Sequence, residues 1–165
     1  MIKNLLKAIE QVVSPGSILL GTDVSGRPDS WPPTGGCQAR AIIRPASTEE
    51  VSKVLELCHA AGQGVVTHGG LTGLVGGAKA GEDDIVLSLE RLNKIESVDK
   101  VNRTLTVEAG VPLQKVQEAA EEAGLLFPLD LGARGSCTIG GNISTNAGGN
   151  SVIRYGMMRE QLLGV

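Results

Sequence analysis

Ten consecutive residues, His68-Gly-Gly-Leu-Thr-Gly-Leu-Val-Gly-Gly77, carry five glycines. Glycine permits a positive φ or an approach by a ligand that a Cβ would block, and successive backbone N–H groups in such turns form a concave nest for an anion. Thr72 adds a hydroxyl donor, and His68 is the nearby side chain that could carry positive charge. A pyrophosphate held here would therefore be neutralised mainly by amide dipoles. A second small-residue stretch, from Pro128 to Gly149, has glycines at 132, 135, 140, 141, 148 and 149. At over twenty residues it exceeds an ordinary connector, so the two stretches are expected to be two halves of one site. A packing reading stays open beside this one, because glycine turns also let strands and helices approach closely. On that reading His68 bonds its loop neighbours and Asp130 accepts in a turn.

Other chemistries find little support. Gly62-Gln-Gly64 lacks the third glycine of a dinucleotide loop and precedes a strand, and neither a G-x-x-x-x-G-K-[ST] loop nor a G-x-S-x-G elbow occurs. Cys37, Cys58 and Cys137 form no C-x-x-C pair, so they read as reduced thiols, and no metal site is expected. Fifteen Lys and Arg against eighteen Asp and Glu give a formal charge of -3, which argues against nucleic acid or an anionic membrane as the main partner. With 41% hydrophobic and 20% charged residues the chain is expected to fold, and with only 2% aromatics its core must be aliphatic. No apolar run suggests a signal peptide or a membrane span, so the sequons at Asn102 and Asn142 read as chance matches.

Positioning the two stretches requires a scaffold. Ile2, Leu5, Leu6, Ile9, Val12 and Val13 share one face, predicting a helix over 2–13 stopped by Ser14-Pro15-Gly16. Residues 21–38 read as an irregular lead-in loop. Residues 41–43 form a short strand, Ser47 and Glu50 a capping box, and Val51, Val54, Leu55 and Cys58 the inner face of a helix that Gly62 closes. Residues 64–67 are the next strand, parallel to the first, in a β-α-β unit that places the glycine loop at a strand's C-terminal end, where open α/β layers bind ligands. Residues 85–89 read as a buried strand, and 95–99 with 104–108 as a hairpin. Pro112 opens a helix carrying Leu113, Val116, Ala119, Ala120 and Ala123 and ended by Gly124. Residues 125–127 look strand-like, and 128–149 leave little room for regular structure. Residues 160–165 begin an apolar element at what reads as a cut.

Ile43-Arg-Pro-Ala-Ser-Thr-Glu-Glu-Val51, Val65-Val-Thr-His-Gly-Gly-Leu-Thr-Gly-Leu-Val-Gly-Gly-Ala78, Pro128-Leu-Asp-Leu-Gly-Ala-Arg-Gly-Ser-Cys-Thr-Ile-Gly-Gly-Asn-Ile-Ser-Thr-Asn-Ala-Gly-Gly149 and Arg154-Tyr-Gly together resemble one family. This is the PCMH-type FAD-binding domain of the vanillyl-alcohol-oxidase-type flavoproteins. Within it the likeness is to the FAD-linked D-2-hydroxyacid dehydrogenases: D-lactate dehydrogenase, the glycolate oxidase FAD subunit and D-2-hydroxyglutarate dehydrogenase. The resemblance implies an α+β fold of two subdomains with FAD between them, the first a β-α-β unit and the second incomplete at the C-terminus. It divides the chain into a helix and lead-in loop over 1–40 and the FAD-binding domain over 41–165.

Carried over by position, Gly69, Gly70, Leu71, Thr72, Gly73 and Leu74, with His68 before them, would wrap the pyrophosphate. Leu131, Gly132, Gly135, Ser136, Ile139, Gly140, Asn142 and Thr145 would line the cofactor further along. Family members with covalent flavin have a histidine after the paired glycines; Leu71 stands there, which implies non-covalent FAD. The subgroup usually has Asn or Gly at this position, so Leu71 removes a polar contact. The implied reaction is oxidation of a 2-hydroxy acid to the 2-oxo acid, in a cytoplasmic enzyme for which peripheral membrane association of the full length stays open. The base, substrate clamp and any metal would lie in residues this chain lacks, so none of its residues is expected to be catalytic and the isolated chain is expected to be inactive. Two alternatives remain: a non-catalytic flavoprotein-fold module that binds a partner chain or forms oligomers, and another flavin oxidase of the same superfamily.

Overall fold

The computed structural model describes residues 2–33 and 35–165. Met1, and Thr34 within the expected loop 21–38, lie outside the described residues. The chain divides into one unit running to Leu92 and a second beginning at Asn93.

The first unit is built on a four-stranded sheet of β1 (Ile18–Leu19), β2 (Ala41–Ile43), β3 (Val65–His68) and β4 (Ile85–Ser88), in the order β1-β2-β4-β3. β2 and β3 are parallel, as the β-α-β pattern requires, but they are not neighbours: β4 lies between them and is parallel to both. The antiparallel edge strand β1, two residues long, was not legible in the sequence. Because successive side chains alternate faces, Ala41, Ile43, Ile85 and Leu87 pack on one side while Ile42 and Val86 pack on the other. Both sides are covered, which is why these strands read as unbroken apolar runs. The first side receives Leu5 and Ile9 of α1 (Ile2–Glu10) and Val54 and Cys58 of α3 (Thr48–Ala60). The second receives Val24, Cys37, Ala39 and Ala80.

Four local expectations over 2–62 are adjusted here. α1 ends at Glu10, three residues short of the expected Val13. The stretch 21–38 contains a short helix, α2 (Thr22–Ser25), which buries Val24. Leu55, assigned above to the inner face of α3, is turned outward and exposed. At the cap, Ser47 accepts from the Glu50 N–H at 3.2 Å, but the Glu50 carboxylate does not close the box on Ser47. It accepts instead from the amides of Ala46 (2.8 Å) and Ser14 (3.0 Å), anchoring the chain between α1 and β1 to α3. Gly62 takes φ 62° after the helix, with Gly62 N–H bonded to the His59 carbonyl and Gln63 N–H to that of Cys58, a Schellman end.

The second unit opens with the expected hairpin, β5 (Ile95–Asp99) antiparallel to β6 (Thr104–Val107). Its turn is set by Asp99, whose carboxylate accepts from the Val101 and Asn102 amides, both at 2.9 Å. α4 (Leu113–Glu122) follows Pro112 and buries Leu113, Val116 and Ala120. The expected strand at 125–127 is absent: Leu125 N–H bonds the Ala120 carbonyl to finish α4, and Leu126 is 65% exposed. The stretch 128–149 is also more ordered than its glycines suggested, holding α5 (Ile139–Thr145), with α6 (Val152–Tyr155) and a 3-10 turn (Met158–Gln161) after it. The core combines Val111, Leu113, Val116, Leu129, Cys137, Ile139 and Met158.

Candidate functional site

The loop after β3 starts from a fixed point. His68 pairs with Ser88 across β3 and β4, and the Leu89 amide bonds its carbonyl at 3.0 Å. His68 is 4% exposed, and its Nε2 lies 2.8 Å from the Ala78 carbonyl. A carbonyl oxygen only accepts, so Nε2 carries the proton. Burial holds the ring's pKa below its ordinary 6.5; the Ala78 bond and Asp29 act against that, and Arg27 acts with it. His68 is therefore a buried neutral side chain that closes the base of the loop, which agrees with the neighbour-bonding reading above.

Between these ends the backbone is open. Among the described residues, none of the amides from Gly69 to Gly77 donates to a backbone carbonyl. The left-handed conformation falls on Leu71 (φ 54°) and Gly76 (φ 70°). A left-handed residue is one of the two conformations that build an anion-binding nest, and Leu71 supplies it here. Leucine in that region costs roughly 1–2 kcal/mol, and such strain persists only where surrounding structure enforces it. A Cβ built at Gly73, Gly76 or Gly77 would meet nothing within 4 Å. Close packing within the chain therefore does not explain these glycines. Leu74 and Val75, 77% and 89% exposed, stand at the tip.

The second stretch divides differently. Gly132, Gly135, Ser136 and Thr145 are exposed, and a Cβ at Gly132 would also meet open space. Gly140, by contrast, is a packing glycine, since its Cβ would come within 2.8 Å of the Ala109 Cβ and 2.9 Å of its carbonyl. Gly149 is another, facing the Asp130 carbonyl. Leu131 packs against the core, and Ile139 and Asn142 lie inside it, the Asn142 amide 3.6 Å from the Cys137 sulfur. Thr145 bonds back to the Gly141 carbonyl at 2.9 Å. Asp130 pairs with Arg134 at 3.3 Å, and both line a concavity of about 270 Å³ with Phe127 and Tyr155.

Two residues outside the expected set hold the second stretch in shape. Arg159 donates to the Ile143 carbonyl (3.0 Å) and the Ser144 carbonyl (2.7 Å), while its amide donates to Asn146 Oδ1 (3.0 Å). It thereby caps α5, whose end is the left-handed Asn146 (φ 51°). Thr138 begins α5, its carbonyl accepting from the Asn142 amide at 2.9 Å, while its buried hydroxyl has no partner among the described residues. Neither had a sequence signal, because both depend on partners distant along the chain or on depth in the fold. The described residues contain no cluster of three or more His, Cys, Asp or Glu able to hold a metal ion. The three cysteines are free and buried, and burial raises the thiol pKa of Cys58 and Cys137.

The donor set fits an extended anionic cofactor such as FAD: free amides around a left-handed residue, with open space beside the glycines. A family model described as the FAD binding domain matches residues 39–165. The D-2-hydroxyglutarate dehydrogenase of Xanthomonas citri pv. viticola is 56% identical over 125 residues, covering 76% of this chain and 26% of that protein. The mitochondrial D-2-hydroxyglutarate dehydrogenase of Bos taurus is 40% identical over 161 residues, covering 97% of this chain and 29% of that protein. The chain thus spans between a quarter and a third of the length of these relatives. Among solved structures, alkyldihydroxyacetonephosphate synthase superposes with a TM-score of 0.85 over 97% of this chain and 32% of its own at 18% identity, which shows the shared fold. Phl p 4, a grass pollen allergen with glucose dehydrogenase activity, reaches 0.81 over 94% of this chain and 34% of its own at 18% identity. The chain belongs to the FAD-binding domain family with the PCMH-type fold, and its cofactor is FAD.

Proposed function

We propose that this chain is the FAD-binding segment of an oxidoreductase that converts a D-2-hydroxy acid to the 2-oxo acid. The observation that carries the reading is 56% identity over 125 residues to a D-2-hydroxyglutarate dehydrogenase. Bound FAD supplies the two-electron acceptor. In the first unit, the amides of Gly69, Gly70, Leu71, Thr72, Gly73 and Leu74 take the pyrophosphate oxygens, replacing the water that solvates them. In the second unit, Gly132, Gly135, Ser136 and Thr145 offer accessible contacts further along the cofactor. Leu131, Ile139, Gly140 and Asn142 support these from the core side. Attachment is non-covalent, because Leu71 offers no nucleophile. No helix among the described residues is long and apolar enough to cross a membrane. The reduced, buried thiols favour a reducing compartment such as the cytoplasm; the bovine relative is named as mitochondrial.

The test is a titration of the purified chain with FAD, followed by flavin fluorescence and by thermal melts. Saturable binding should raise Tm, by mass action on the folded state, and Gly70→Val should abolish both effects. A cooperative melt indifferent to FAD would sink the reading.

A further inference from the structure

Resting on the reading of residues 69–77 as the pyrophosphate loop, we propose that His68 is a positioning residue of that loop, tying its far end to the sheet through the Ala78 carbonyl and so setting the width of the amide cradle. The near end is fixed by the β3–β4 pairing through His68 itself. The far end enters the core at Ala80, which is 3% exposed. Between them the stretch 73–77 is exposed and its amides have no backbone acceptor among the described residues. The bond from Nε2 to Ala78 O, 2.8 Å long and partly buried, joins residues ten apart, and no other polar side chain of the loop is shown making such a tie. Nest amides bind an anion only while they converge, and a displacement of about 1 Å at a site can cost as much as a hundredfold. Histidine acts here without touching the cofactor, and the bond requires the Nε2–H tautomer. Asp29 and Arg27 are the charged groups that face the ring. Asp29 is 2% exposed, and its Oδ1 has no hydrogen-bond partner among the described residues.

The experiment compares the wild-type chain with His68→Met, which fills space without donating, and His68→Gln, whose amide can still donate. The proposal expects FAD affinity to fall roughly ten- to a hundredfold in His68→Met and to return in His68→Gln. Backbone order parameters for 69–77 should fall below about 0.6 in the Met variant alone. Nitrogen chemical shifts of the wild-type ring should report the Nε2–H tautomer. Unchanged affinity and order parameters in His68→Met, with only a lower Tm, would overturn the proposal and leave His68 a packing residue. An Nδ1–H tautomer in the wild type would overturn it without any variant. A wild type that ignores FAD would instead defeat the cofactor reading of the loop, and the order parameters and tautomer would then decide the clamp by themselves.

Discussion

Leu71 shows at a single residue how backbone and ligand demands meet. Its φ of 54° is the conformation that Gly or Asn occupies readily and Leu does not. Leu71→Asn should therefore raise stability by about 0.5–1 kcal/mol, while Leu71→Val, branched at Cβ, should lower it by about 1–2 kcal/mol. Urea unfolding at equilibrium reads both, and equal stability in the two variants would refute the strain argument. His68 makes a second prediction at this scale. Its folded pKa lies below 6.5, chiefly through burial, so on acidification the unfolded chain takes up the proton first. The stability it contributes is present above pH 6.5 and is lost as pH falls from there towards the depressed folded value. Wild-type stability should decline as the pH falls below about 6.5, and His68→Gln should flatten that decline. Glu50 acts in a lower window. Burial alone would raise its pKa, but the bonds from Ser14 and Ala46, with Arg91 nearby, outweigh burial and hold it below 4.5, so its contribution disappears only on further acidification.

Among elements, the two glycine stretches separate into positions kept open and positions filled by the chain. Gly73 has free space where a Cβ would go, and Gly140 has Ala109. Gly73→Ala should leave thermal stability within about 0.5 kcal/mol of wild type and weaken FAD binding, whereas Gly140→Ala should cost about 1–3 kcal/mol. Melts with and without FAD distinguish the two, and a destabilised Gly73→Ala would favour close packing for the first loop as well. The same contrast explains what was legible. Gly62 and Gly124 each sit one residue past a helix cap, and the helices end there as expected (φ 62° and 76°). α5 was missed because Gly140 and Gly141 are poor helix formers. Ile139, Asn142 and Ile143 nevertheless have helical spacing, and the core, with Arg159 on the last carbonyls, overrides the local preference.

For the whole molecule, binding and turnover come apart. Of its two histidines, His68 is buried with Nε2 already bonded, and His59 belongs to the last turn of α3. Neither is a base waiting at an open glycine loop, and a general base must reach the proton it removes. The 165-residue chain should therefore bind FAD yet reduce no dye with D-2-hydroxyglutarate or D-lactate. Measurable substrate-dependent dye reduction by the pure chain would show that its own residues supply the base.

The sequence by itself determined the helix with Ser47 at its cap, the apolar strands, the hairpin, the order of the two glycine stretches and the family they mark. Those features are encoded locally, in the spacing of apolar residues, in capping side chains and in glycine's lack of a Cβ. Tertiary structure alone decided that β4 enters between β2 and β3, since strand order depends on which apolar faces find cover. It also decided which glycines face open space and which face Ala109 or Asp130, and that His68 points inward to Ala78. Burial and hydrogen-bond partnership join residues far apart in the chain, and no local spacing records them.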